Sequence, residues 1–237
     1  MPTVSKGLLR SSVFRKQVIA VTGVVMIGFL VAHLTGNLLI YAGPGAFNAY
    51  AEKMAKLGPI LWVMRIGLIA SVVLHVYLTL KLVQENRAAR RQSYAVNEPK
   101  GKRSVPAMIM QYTGVLILIF LVLHLYDFTF SNKSGPHSVI PGLSNGESLG
   151  LFGVVWNSFK FTDPLGWIRI PIYLIAVTGV GLHLSHAIQS VVQTLGFSHP
   201  RYTPMIRVAS IAIGALLALG FGMLPVYVML AQQPTGI

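Results

Sequence analysis

Apolar residues in this chain come in runs too long for the core of a soluble domain. Five stretches, 18–41, 60–80, 106–126, 168–192 and 205–230, hold between 21 and 26 residues each. A bilayer core about 30 Å thick needs about 20 residues of helix to cross it. The pattern therefore predicts an all-α integral membrane protein: a bundle of five transmembrane helices forming a single membrane domain over 1–237, with the remainder in connections. No small-residue cleavage site follows the first stretch, so it reads as a retained span rather than a signal peptide. The connection over 128–167 is long, and the Ser-Asn-Gly-Glu run at 144–147 has capping-box spacing ahead of Phe152 and Trp156. Two structures are open there, a short helix lying on the membrane surface and a Pro/Gly-rich loop.

Composition agrees with the pattern. Of 237 residues, 54% are hydrophobic and 11% charged, against about a quarter charged in soluble domains. Mean hydropathy is +0.65. The charges that exist are lopsided, 19 Lys and Arg against 6 Asp and Glu. A nucleic-acid-binding domain can be that basic, but not also this apolar. The positive residues instead cluster by loop. Lys6, Arg10, Arg15 and Lys16 precede the first span, Lys81, Arg87, Arg90, Arg91, Lys100, Lys102 and Arg103 join the second to the third, and Arg201 and Arg207 precede the fifth. The opposite face holds Lys53, Lys56, Lys133 and Lys160, with Arg65 and Arg169 just inside helix starts. The positive-inside rule then predicts a cytoplasmic N-terminus and a C-terminus outside. There are no cysteines, which excludes disulfides, thiolate-held clusters and thioether-attached haem in this chain.

Chemistry is carried by histidine. His33, His75, His124 and His183 lie in four different spans, and His186 follows in the fourth. Ionisable residues at such depth are functional candidates by default. Each of the four falls 15 to 18 residues after its span begins, roughly 22–27 Å along the axis. Alternating helix direction then puts His33 and His124 near the outer face and His75 and His183 near the cytoplasmic face, in two layers about 15 Å apart. Two imidazoles at one depth suit axial ligation of a flat macrocycle, and two bis-histidine haems b are the expected cofactors. Zinc or copper asks for three or four converging ligands, and a proton relay for acidic members; Asp127 is the one acid beside a span at depth. A proton-coupled transporter with buried histidines is the competing reading from another class. Spans one and three share a repeat, Thr22-Gly23-Val24 and Thr113-Gly114-Val115, each ten residues ahead of its histidine when counted from the glycine. Those glycines sit near the depth of the other layer, where they either admit the second haem or serve ordinary helix packing. His186 lies one turn nearer the cytoplasm than His183, placed for a propionate, a quinone or a subunit contact. His137 and His199 read as solvated loop residues.

The segments Phe14-Arg15-Lys16, His33-Leu34, AFNAYAEKM over 46–54 and GLHLSHAIQSVVQTLG over 181–196, with five spans and four histidines, resemble one family. It is the five-helix, di-haem cytochrome b membrane anchor of succinate dehydrogenases and fumarate reductases, and the likeness runs from about 14 to 230. The resemblance implies a bacterial cytoplasmic-membrane protein holding an iron–sulfur subunit and a flavoprotein subunit on the cytoplasmic side. FAD and iron–sulfur clusters belong to those partners, and a trimer of such heterotrimers is the larger assembly to consider. Electrons pass between the iron–sulfur subunit and a quinone, commonly menaquinone. By position, His75 and His183 resemble the proximal haem ligands and His33 and His124 the distal ones. Arg15, Lys16 and Lys81 are candidates for the inner haem propionates, and Arg65 and Arg169 for the outer. Glu52, with Asn48 and Tyr50 beside it, is the candidate distal quinone site, an ordinary surface carboxylate beside Lys53 and Lys56 being the alternative. Some di-haem fumarate reductases carry a glutamate two residues before the fourth ligand for transmembrane proton transfer. Here that residue is Gly181, which argues for succinate oxidation. A cytochrome b anchor of formate dehydrogenase or hydrogenase shares the same helix and histidine logic.

Overall fold

The structure, a computed structural model, describes residues 11–89, 105–143, 145–161, 163 and 165–234. Lys6, Arg10, Arg90, Arg91, Lys100, Lys102, Arg103 and Ser144 of the sequence reading lie outside these residues.

Seven α-helices, and no strand, occur among the described residues. They are α1 (Ser12–Asn37), α2 (Pro44–Ala55), α3 (Pro59–Ala88), α4 (Val105–His124), α5 (Gly150–Ser158), α6 (Gly166–Thr194) and α7 (Thr203–Leu230). Five of them, α1, α3, α4, α6 and α7, are long and apolar enough to cross a membrane. They coincide with the five apolar runs but extend further. Helix α3 continues eight residues past its apolar stretch to Ala88, because Lys81, Gln84, Glu85 and Arg87 are good helix formers that carry no hydrophobic signal.

The bundle is built around α6. In its most apolar window 39% of residues are buried, against 6% in α3 and in α4. Helix α7 packs along α6, α4 lies on the other flank of α6, and α1 touches both α6 and α7. Helix α3 packs chiefly on α1 and otherwise exposes Trp62, Val63, Ile66, Ile69 and Val73. A helix with apolar side chains on its open faces is suited to lipid rather than water. Helices α6 and α7 approach closely at a pair of glycines: a Cβ on Gly214 would lie 2.5 Å from the carbonyl oxygen of Gly181, and one on Gly181 2.7 Å from Cβ of Ala218. This gives the departure at Gly181 a physical reason, since a glutamate has no room at that crossing.

One end of the bundle is closed by the short helices. The segment 46–54, which the apolar pattern leaves in a connection, is helical: Pro44 opens α2 with its preset φ, and Glu52 pairs with Lys56 one turn on, at 2.7 Å. Asn48 ties α2 to α5, donating to the Leu149 carbonyl at 2.8 Å and accepting from the Phe152 amide at 3.1 Å. Helix α5 is the short helix open in the sequence reading. Its cap residue is Leu149 and makes no side-chain capping bond; burial of Phe152, Val154 and Trp156 holds it instead. Phe152 and Trp156 join Ile40, Phe47, Phe159, Tyr173 and Val228 in one cluster linking α2, α5, α6 and α7. Lys160 donates to the Ala231 carbonyl just past α7 and lies 4.6 Å from the Trp156 ring centre; burial lowers its pKa below the ordinary lysine value. At the opposite end Arg15, in the first turn of α1, meets Glu85 of α3 at 2.6 Å.

Candidate functional site

The four span histidines are all half-buried and sort into two levels. At the end capped by α2 and α5, His33 of α1 and His124 of α4 face each other, ring centroids 5.7 Å apart and planes at 88°. Phe29 stacks on His33 at 5.1 Å, and Phe120, Phe128 and Tyr173 surround His124 at 5.4–6.1 Å. The Nδ1 atom of His124 is buried with no hydrogen-bond partner, an expensive arrangement for a polar atom.

The second level pairs His75 of α3 with His183 of α6, and its geometry comes from the Thr-Gly repeat. The His75 Nδ1 atom is 3.1 Å from the Ile19 carbonyl oxygen and 3.1 Å from Thr22 Oγ1. A carbonyl only accepts, so Nδ1 carries the proton. Thr22 donates its own hydroxyl to Val18 or Ile19, at 2.9 and 3.0 Å, leaving lone pairs toward the imidazole. Across the bundle Thr113 does the same: its hydroxyl donates to Met110 at 3.0 Å, and Oγ1 stands 3.1 Å from His183 Nδ1. In both rings Nε2 is thereby left as the unprotonated nitrogen able to bind a metal, the tautomer control that metal-binding histidines ordinarily receive. The glycines follow suit. A Cβ on Gly23 would sit 3.7 Å from His75 Cε1, and one on Gly114 3.6 Å from His183 Cε1. Each repeat thus meets a histidine of the other level, as the ten-residue spacing predicts.

These residues fit axial ligation. Two imidazoles binding one metal from opposite sides, each at about 2 Å, have ring centroids about 6 Å apart, close to the His33–His124 separation. The inner pair is held in the ligating tautomer by Thr22, Ile19 and Thr113. Among the described residues no group of three or more His, Cys, Asp or Glu is placed to hold a metal ion.

The remaining candidates have other partners. Arg15 is paired with Glu85, a carboxylate that apolar pattern alone does not reveal. Lys16 and Lys81 are exposed, and Arg65 lies 5.2 Å from the Trp62 ring. Arg169 bonds Asp127 at 3.3 Å and also Asp163. His186 is half-buried, one turn beyond His183. Glu52 is exposed, and Lys56 holds its carboxyl below the ordinary glutamate pKa. Asn48 belongs to the α2–α5 joint, and the Tyr50 ring packs against Gly36. So these three do not converge on one point. His137 is exposed but is engaged through Nε2, 3.1 Å from Ser158 Oγ. Glu85, Asp163 and Tyr173 were not singled out by sequence; Thr22 and Thr113 were marked by the repeat, but their hydroxyl contacts to histidine were not. No family model, curated protein or solved structure matches the chain, so its chemistry is read from these side chains and their arrangement.

Proposed function

We propose that this chain is the cytochrome b membrane anchor of a succinate:quinone oxidoreductase, carrying electrons between an iron–sulfur subunit and a quinone, menaquinone being the expected one. The observation that carries the reading is the double histidine level. His33 meets His124 near one end, while His75 and His183 are held at the other level through Thr22 and Thr113. His75 and His183 would hold the inner haem b, and His33 and His124 the outer. Haem, when bound, supplies a one-electron carrier at each level. The chain's own part is to fix ring tautomers through Thr22, Ile19 and Thr113, to keep water from the imidazoles with Phe29, Phe120 and Phe128, and to neutralise Arg15 and Arg169 with carboxylates.

In this reading the end bearing Arg15 and Glu85 faces the cytoplasm and the soluble flavoprotein and iron–sulfur partners, and the end closed by α2 and α5 faces outward. The membrane is the bacterial cytoplasmic membrane. Purification with the native partners tests the proposal. A pyridine haemochrome assay should give two haems b per chain with a low-spin bis-histidine spectrum, and H124A should retain one. Two haems retained in H124A, or no Soret absorption in the wild type, overturns it. An anchor for formate dehydrogenase or hydrogenase would give the same spectra but co-purify with different soluble subunits.

A further inference from the structure

Directly after His124 the α4 ladder widens into a single π turn, Leu125–Thr129. Such turns are frequent at functional sites, because the extra residue re-aims the side chains that follow. Here Asp127 meets α6: Tyr173 Oη donates to Oδ2 at 2.8 Å and Arg169 Nε to Oδ1 at 3.3 Å. The Asp127 side chain is 11% exposed. Beside it lies a cavity of about 210 Å³, walled by Tyr126 and Phe130 on the α4 side and by Ser131, His137, Ser158 and Arg169. Tyr126 and Phe130 are among the most exposed aromatic residues described, at 71% and 77%, so this side of the cavity wall is open to the surroundings. Ser158 donates its hydroxyl to Val154 at 2.8 Å, so the contact at 3.1 Å is a donation from His137 Nε2 to Ser158. In the neutral ring Nδ1 is then the acceptor. The Tyr173 ring that binds Asp127 lies 6.1 Å from the His124 ring. One side chain therefore separates the cavity from the outer histidine level.

We infer that this cavity receives the headgroup of a lipid-soluble quinone. The inference rests on the quinone-linked reading above and moves the quinone from Glu52 to Asp127. The chemistry asks for flat aromatic walls, a donor toward a carbonyl oxygen, an acceptor for a hydroxyl proton, and an entrance at membrane depth. Tyr126 and Phe130 supply the walls, Arg169 the donor, and Asp127 and His137 the acceptors, while Ser131, whose hydroxyl donates to the Phe128 carbonyl at 3.2 Å, lines the cavity. A phosphate or other anion is disfavoured, since Arg169 already faces two carboxylates, Asp127 and Asp163. Oxidation of a hydroquinone here releases two electrons and two protons. The electrons leave singly to the haem pair of the proposed function, and the protons pass through Asp127 and His137 to water at the mouth. Quinone reduction is the reverse, with the same count.

Two measurements on the complex purified with its soluble subunits test this. The first illuminates the wild-type complex with a photoreactive azido-naphthoquinone and maps the labelled peptide. Label within 126–137 is expected; label confined to α2 around Glu52 overturns the inference while leaving the haem reading untouched. The second is the S131F variant, which narrows the cavity without touching a histidine of either level. Its KM for 2,3-dimethyl-1,4-naphthoquinol should rise about ten-fold or more, the loss of one good contact, with two haems per chain still present. K133A, whose exposed side chain lies outside the cavity, should leave that KM unchanged. An unaltered KM in S131F overturns the site, whereas absence of haem from the wild type overturns the proposed function instead.

Discussion

Thr22 and Thr113 are polar residues in spans that could have been wholly apolar, and both put a hydroxyl oxygen 3.1 Å from a histidine Nδ1. Valine is nearly the same shape and lacks that oxygen. T22V or T113V should therefore remove one of the contacts that orient the inner imidazoles, the Ile19 carbonyl still holding the His75 Nδ1 proton, and loss of such an outer contact to a metal-bound histidine typically weakens the metal site 10–100-fold. Haem content per chain and the redox midpoint of each haem read the effect: the inner haem should shift or be lost while the outer is unchanged, and T22S should restore it. Equal shifts in both haems would mean the threonines act only on packing. The glycine and histidine halves of this motif are legible in the sequence, because depth along a helix is a matter of counting. The hydroxyl contact is not, since it depends on how α1 is rotated against α3. Glu85 escaped for a different reason: it lies beyond the apolar run of α3, where hydropathy has nothing to report.

Among the elements, the α6–α7 crossing brings two spanning helices together backbone against backbone. A methyl group at Gly214 would meet the Gly181 carbonyl oxygen at 2.5 Å and the Ser185 amide nitrogen at 3.1 Å, so backbones rather than flexible side chains would have to part. G214A should cost about 1–3 kcal/mol, as overpacking a close contact does, and lower Tm in detergent by several degrees. Thermal unfolding beside wild type is the check, and an unchanged Tm would show that the helices separate freely. Sequence places all five spanning helices because 20 consecutive apolar residues leave few alternatives. It misses α2, whose polar face resembles a connection and whose place is settled by partners distant in sequence, Asn48 reaching Leu149 and Phe152. For α5 the apolar content points to the helix, while the cap residues do not mark its start.

Across the whole molecule, α1 begins beside the last turn of α3 at Glu85, and α7 finishes beside Lys160 near α5. The bundle thus begins at one end and finishes at the other. Combined with the loop charges, the proposed orientation expects a phosphatase fused after the C-terminus to be active outside the cytoplasm, and a green fluorescent protein fused there to stay dark. The opposite pair of signals would invert the assignment of inner and outer haem without altering the histidine pairing. That pairing was largely legible before any coordinates, because five alternating crossings reverse the count of residues into depth. The cavity proposed for a quinone was not, since the π turn and the meeting of Ser131, His137 and Ser158 beside it leave no periodic mark.

The crossed use of α1 and α4 has a mechanical consequence. Each carries, on one rigid rod, a hydroxyl that steadies an imidazole at one depth and an imidazole of its own at the other, eleven residues or about 16 Å away. A slide or twist of either rod therefore disturbs both depths at once. In the proposed function each level would still take its own haem, but a shift of either helix on filling one level would be felt as a change of imidazole orientation at the other.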